Sequence, residues 1–173
     1  MVWRRITLVS SLPPQEALKA LEGAIQSRKG WKDKLLSTGS GKFTGEVTGD
    51  RFDIVRDIAY RNSYLPRVTG TITAGSPASR IEVSMMPGPR ALIFMALWLG
   101  LLVFNGITMV RAMNSGGGPR DYTFLEIIGG MAAFVFALSQ AGFWPEAKKA
   151  ETFLKETLKA ERDSRPDPSR QAI

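Results

Sequence analysis

The chain has 173 residues, a net charge of +7 and neither cysteine nor histidine. Disulfides and thiolate chemistry are therefore excluded, and the commonest general base and metal ligand is missing. Polar residues 1–90 and charged residues 145–173 flank two long apolar runs, so a mean hydropathy near zero hides a divided chain.

At the start, "MVWRRITLVS" holds too short an apolar core for a signal peptide. Its "WRRITLVS" part reads as a short strand. After Pro13 and Pro14, "QEALKALEGAIQSR" places Ala17, Leu18, Leu21, Ala24 and Ile25 on one face at helical spacing. With Ser11 as expected N-cap and Gln15 and Glu16 in the first turn, this predicts an amphipathic helix of about four turns.

From Lys42 the period changes to two. "KFTGEVT", "RFDIVRDIAY", "PRVTGTIT" and "SRIEVSMM" predict four strands in succession. A two-residue Gly49-Asp50 loop pairs Val47 with Phe52 and Gly45 with Ile54. A three-residue loop Asn62-Ser63-Tyr64 pairs Arg61 with Leu65, Ile58 with Val68 and Ile54 with Ile72. The loop "AGSPAS" pairs Ile72 with Ile81 and Val68 with Met85. These registers put Phe43, Val47, Phe52, Ile54, Ile58, Tyr60, Val68, Ile72, Ile81, Val83 and Met85 on one face, and a one-residue slip would mix the faces. The expected fold of residues 1–89 is α+β: an antiparallel meander of four or five strands with one covering helix.

Asn62, Ser63 and Tyr64 are expected to form the hairpin corner. Beside them Arg56 falls on the apolar face, next to Phe43, Gly70 and Val83 in the expected register. A buried arginine needs a partner. Three readings stand open: the guanidinium snorkels to the sheet edge or stacks on an aromatic ring, it builds an anion or carboxylate site with Arg61, or it pairs with a carboxylate in the core. "GSGKFTG" is not a phosphate loop, because it lacks the upstream glycine and leads into a strand.

Phe43, Gly45, Val47, Phe52, Ile54, Arg56, the segment Tyr60 to Pro66, Gly70, Ile72, Ile81, Val83 and Met85, followed closely by "LIFMALW", make a recurrent pattern. It resembles a group of small bacterial membrane proteins with a β-rich cytoplasmic part and a hydrophobic hairpin. The resemblance covers roughly residues 40–100, with "RNSYLP" its most specific part. It implies bacterial origin and membrane location, and carries no activity.

Residues 90–144 predict a transmembrane hairpin. Its first span, 91–110, is bracketed by Arg90 and Arg111 and includes only Asn105 and Thr108 as polar residues. Twenty residues at 1.5 Å rise cover about 30 Å, the thickness of a bilayer's hydrocarbon core. The second, 124–144, carries Glu126, Ser139 and Gln140 toward its ends and closes on Phe143 and Trp144. Glu126 reads as an interfacial carboxylate near Arg120, with a proton or ion path as the alternative. Ala96 and Gly100, and Ala133, Ala137 and Ala141, are expected to be the surfaces on which the two spans pack. Residues 1–90 hold fourteen Lys/Arg against eight Asp/Glu, a net of +6, so the positive-inside rule puts both termini in the cytoplasm.

Residues 145–163 predict an amphipathic helix with Ala150, Phe153, Leu154, Thr157 and Leu158 as its stripe, lying on the sheet, the membrane surface or a partner. Residues 164–173 are expected to be disordered. No nucleophile–base pair, cofactor motif or metal cluster is seen, and an enzyme is not expected. The function expected is a cytoplasmic binding or scaffolding module anchored in the bacterial inner membrane. Alternatives are a subunit of an oligomeric transporter or channel and a sensor of an anionic ligand or lipid headgroup. The expected partners are the bilayer and a membrane protein or second copy. Nucleic acid is not among them, because the positive charge is scattered.

Overall fold

In a computed structural model of the protein, residues 3–27, 41–60, 62–115 and 123–163 are described. The order of elements is β1 (Arg4–Ser10), α1 (Pro14–Ala24), β2 (Gln26–Ser27), β3 (Phe43–Thr48), β4 (Arg51–Arg56), β5 (Pro66–Ala74), β6 (Ser79–Pro87), α2 (Pro89–Asn114), α3 (Thr123–Thr157) and β7 (Ala160–Arg162). The fold is α+β, built on one sheet of spatial order β2-β3-β4-β5-β6-β1-β7. The two-residue β2 runs parallel to β3, and the other six strands are antiparallel.

Strands β3 to β6 form the meander. β1 and β7 extend the sheet beyond β6: β1 pairs with β6, and the chain returns after α3 to lay β7 against β1. Alternation explains β1, whose Ile6, Leu8 and Ser10 point inward while Arg5, Thr7 and Val9 point away. Helix α1 starts from Pro13 with no side-chain cap, so the expected cap at Ser11 is not used. The neighbouring Ser10 ties its hydroxyl to the backbone of Leu12 and Leu158 instead. Ala17 and Leu21 of α1 are fully buried in the same core as the sheet residues, whereas Ala24 is exposed.

The β3–β4 and β5–β6 registers match those read from sequence, including Val47 opposite Phe52 and Ile72 opposite Ile81. The β4–β5 register does not. Ile54 lies opposite Val68, four residues along β5 from the expected Ile72. β4 ends at Arg56 and β5 begins at Pro66, so the connection is longer than the expected three-residue loop. A shift of four is even, so every side chain keeps its face. Phe43, Phe52, Ile54, Val68, Ile72, Ile81, Val83 and Met85 are all buried. Tyr60 is not: it lies past the strand end and is 55 % exposed. Gly70 sits opposite Phe52, not Arg56. A Cβ on Gly70 would come within 2.4 Å of the Phe52 ring, so the space over this glycine belongs to Phe52.

The second apolar run and the charged helix expected after it are one element. α3 continues through Pro145 to Thr157. Proline removes the N–H that would bond the carbonyl of Ala141, at a cost of roughly 3 kcal/mol or more in a helix interior. Packing offsets that cost. Phe143, Ala147, Ala150, Leu154 and Leu158 recur at helical spacing, are buried, and join the core. Phe153, half-buried, stacks on Phe43 with ring centroids 4.2 Å apart. The C-terminal stripe therefore lies on the sheet. Its helix ends at Thr157, short of the expected 163, because residues 160–162 become a strand. The core of residues 1–89 is thus shared with residues 143–160.

Candidate functional site

Arg56 ends β4 directly opposite Phe43 at the foot of the sheet. Its Nη1 donates to Glu146 Oε2 at 2.8 Å, and its Nε donates to the carbonyl of Gly41 at 3.0 Å. Of the three readings of this arginine, pairing with a carboxylate is the one the structure displays. Glu146 comes from α3, one residue past Pro145, and its side chain is only 2 % exposed. Its other oxygen, Oε1, accepts from the Tyr60 hydroxyl at 2.8 Å and from Lys149 Nζ at 2.7 Å. A buried carboxylate thus collects three donors from two ends of the sequence.

Burial alone would raise the pKa of Glu146. Hydrogen bonds from Lys149, Arg56 and Tyr60 outweigh it and hold the carboxyl below the usual glutamate value. The bond to Glu146, followed by burial, pushes the Tyr60 hydroxyl up. One turn further on, Glu151 repeats the device at the other side of the sheet. It takes Arg4 of β1 and, at 2.9 Å, Lys155. Arg4 also lies 5.5 Å from the Trp144 ring centroid. The two carboxylates fasten α3 to β4 and to β1. Glu146 is held by Arg56, Tyr60 and Lys149 and Glu151 by Arg4 and Lys155, so the cluster is a fastening.

The corner docks on the same helix. Asn62 Nδ2 donates to the carbonyl of Gly142 at 2.8 Å, while its Oδ1 accepts from the Tyr64 N–H at 3.0 Å. Asn62 is chosen for these two bonds and not for a left-handed backbone. Among the described non-glycine residues only Lys159 has positive φ. Gly142 is the matching concession on α3, since a Cβ there would stand 3.0 Å from Asn62 Oδ1 and 3.2 Å from Tyr64 Cβ. Asn62→Ala removes both bonds and should cost about 1–2 kcal/mol in denaturant melts of the full chain in detergent. Ser63→Ala, at an exposed corner position, should stay within about 0.5 kcal/mol. Equal stability of the two variants would mean that the corner is not docked.

Arg61, expected to join Arg56, lies outside the described residues, as does Arg120, the expected neighbour of Glu126. Ser63, Tyr64 and Leu65 face Gly88, Pro89, Arg90, Ala91 and Phe94 of the α2 entry across a cleft of about 670 Å³. Ala96, Gly100, Ala133, Ala137 and Ala141 are all exposed, and a Cβ on Gly100 would meet nothing within 4 Å. The expected packing of the two helices on these small residues is therefore not made. Each helix is held where it meets the domain, at buried Ala91 on α2 and at buried Ser139 and Phe143 on α3.

Sequence reasoning missed Glu146, Glu151 and Lys149. A signal was present. Extending the stripe Ala150–Leu154–Leu158 back across Pro145 reaches Ala147 and Phe143, and places Glu146 beside them. An acid on an apolar helix face complements an arginine on an apolar sheet face. Among the described residues no group of three or more His, Cys, Asp or Glu could hold a metal ion. Comparison with protein-family models, curated proteins and solved structures finds no match.

Proposed function

We propose that the protein is a membrane-anchored binding or scaffolding module of the bacterial cytoplasmic membrane, with its sheet domain and both termini on the cytoplasmic side. The observation that carries this reading is the exposure of its apolar helices. α2 and α3 are long and apolar enough to cross a membrane, and their most apolar 18-residue windows are 0 % and 11 % buried. A core helix of a soluble protein hides such a window. Here Leu97, Phe104 and Phe134 are 71 %, 65 % and 64 % exposed, while the sheet has its own fully buried core. Exposed apolar surface on this scale calls for lipid. Trp3, Trp144, Arg5 and Arg90 stand at the end of the sheet from which α2 departs, a composition suited to the headgroup layer.

Polar side chains in the spans favour an anchor over a channel lining. Asn105 donates to the carbonyl of Leu101, Thr108 to that of Asn105, and Ser139 to that of Phe136. Each satisfies itself on its own helix and offers little to a permeating ion. Continuity of α3 adds a mechanical property. The same helix is the second span and a wall of the domain core, so the domain is fastened to the bilayer with no flexible linker at that junction.

The chain has no cysteine of its own, which makes topology directly measurable. Cysteine placed at exposed Ser115 should react with an impermeant maleimide added outside intact cells, and cysteine at exposed Thr73 should react only after lysis. Labelling of Thr73→Cys from outside would reverse the proposed orientation. Release of the protein from membranes by alkaline carbonate would remove the anchor itself.

A further inference from the structure

We infer that the cleft between the corner and the α2 entry receives the phosphate-bearing headgroup of an anionic phospholipid. The inference rests on the reading of α2 as a membrane span. Arg90 is the last charged residue before the apolar run that begins at Ala91, so that reading puts the cleft at the level of the headgroups.

Its lining has the division an amphiphile requires. Ser63 and Arg90 bring a hydroxyl and a guanidinium to the lining, whereas Leu65, Ala91 and Phe94 bring apolar groups. None of the eight lining residues is acidic. The charge of Arg90 is also uncommitted. Arg4, Arg56, Arg67 and Arg80 are each paired with a carboxylate, but Arg90 has no ion-pair partner among the described residues. A guanidinium offers a phosphate two parallel N–H donors, which an ammonium cannot. A zwitterionic headgroup would bring its own cation to the guanidinium, so selectivity for a net negative headgroup follows from the charge of the lining. A volume of about 670 Å³ accommodates a glycerophosphate headgroup with the first carbons of its chains.

The corner gains a role from this arrangement. Asn62 docks on Gly142 of α3, and its neighbour Ser63 lines the cleft with Arg90. The corner thus docks on α3 through Asn62 and lines the cleft with the α2 entry, and a headgroup held there would sit between the corner and α2.

The test uses the full chain in a nonionic detergent and reads thermal unfolding. Dihexanoyl phosphatidylglycerol should raise Tm by about 3–6 °C at roughly ten times its Kd. Dihexanoyl phosphatidylcholine, inorganic phosphate and glycerol phosphate at the same concentration should give no comparable shift. Arg90→Gln and Phe94→Ala should each abolish most of the rise, and Arg5→Gln, at an exposed position outside the cleft, should keep it. An equal rise with phosphatidylcholine removes anion selectivity and overturns the inference. An equal rise with inorganic phosphate or glycerol phosphate assigns the cleft to a free anion and overturns the lipid. Loss of the rise in Arg5→Gln would reduce the effect to diffuse surface charge. The anchor reading fails separately, through carbonate extraction; a protein retained in membranes but blind to phosphatidylglycerol refutes only the cleft.

Discussion

Residues 1–89 expressed alone should fail to fold. They contain most of the sheet and α1, yet the core they enclose is completed by residues 143–160. Phe143, Leu154 and Leu158 are 0 % exposed, and Ala147, Ala150 and Ala160 are 5 % exposed or less. Burying a phenylalanine or leucine contributes about 1.5–3 kcal/mol, so the three large residues together supply roughly 5–9 kcal/mol. A domain's whole stability is about 5–15 kcal/mol. Truncation also removes β7 from β1 and leaves Ser10 without the Leu158 carbonyl. The expected result is weak near-ultraviolet circular dichroism and no cooperative transition in urea. Restoring the missing wall should restore folding. A chain in which residues 1–88 are joined by a flexible linker to residues 141–163, without residues 89–140, should unfold cooperatively and stay soluble. A sharp two-state transition in residues 1–89 alone would show that the shared core is dispensable.

How far the sequence could be read depended on the range of the interaction. β3–β4 and β5–β6 are set by short loops, so counting outward from Gly49-Asp50 and from "AGSPAS" reproduces their pairing. In β4–β5 the same counting misplaced the pairing by four residues. Its corner is shaped by a contact some eighty residues away, Asn62 with Gly142, and not by local turn preference. The face assignment survived because alternation constrains parity and not position. Burial of Ile54, Val68 and Ile81 and the pairing of Arg56 with Phe43 were therefore legible, while the β5 neighbour of Arg56 was not. Pro145 did the most to obscure the rest. As a helix breaker it divides span from tail, and its local cost is real. The burial of Phe143 and Ala147 on either side, decided by tertiary packing, carries the helix through it. Once the helix is continuous, Glu146 falls on the stripe that meets the sheet, and the partner of Arg56 becomes evident.

That partner leads to the other large expected effect. Arg56→Met keeps the aliphatic stem, removes the charge, and leaves Glu146, 2 % exposed, one donor short. Breaking a buried ion pair by deleting one member costs about 3–5 kcal/mol. Lys149 and Tyr60 still reach the carboxylate, so the lower end, near 3 kcal/mol, is expected. Glu146→Met should cost less. It orphans Arg56, whose side chain is 22 % exposed, and Lys149, at 51 % exposed, and both reach water. The double variant should recover most of the loss, giving a coupling energy of at least about 1.5 kcal/mol in a cycle of denaturant melts. Acid provides an independent reading. The folded pKa of Glu146 lies below the 4.5 of a free glutamate. Its contribution is therefore complete above that value and is lost as the pH falls through the folded pKa. Wild type should lose stability steeply below pH ~4.5, and Glu146→Met should show a shallower slope there. Glu151, also held low, retains part of that slope. Arg56→Met with wild-type stability, together with an unchanged acid slope in Glu146→Met, would mean that the pair does not fasten the sheet to α3.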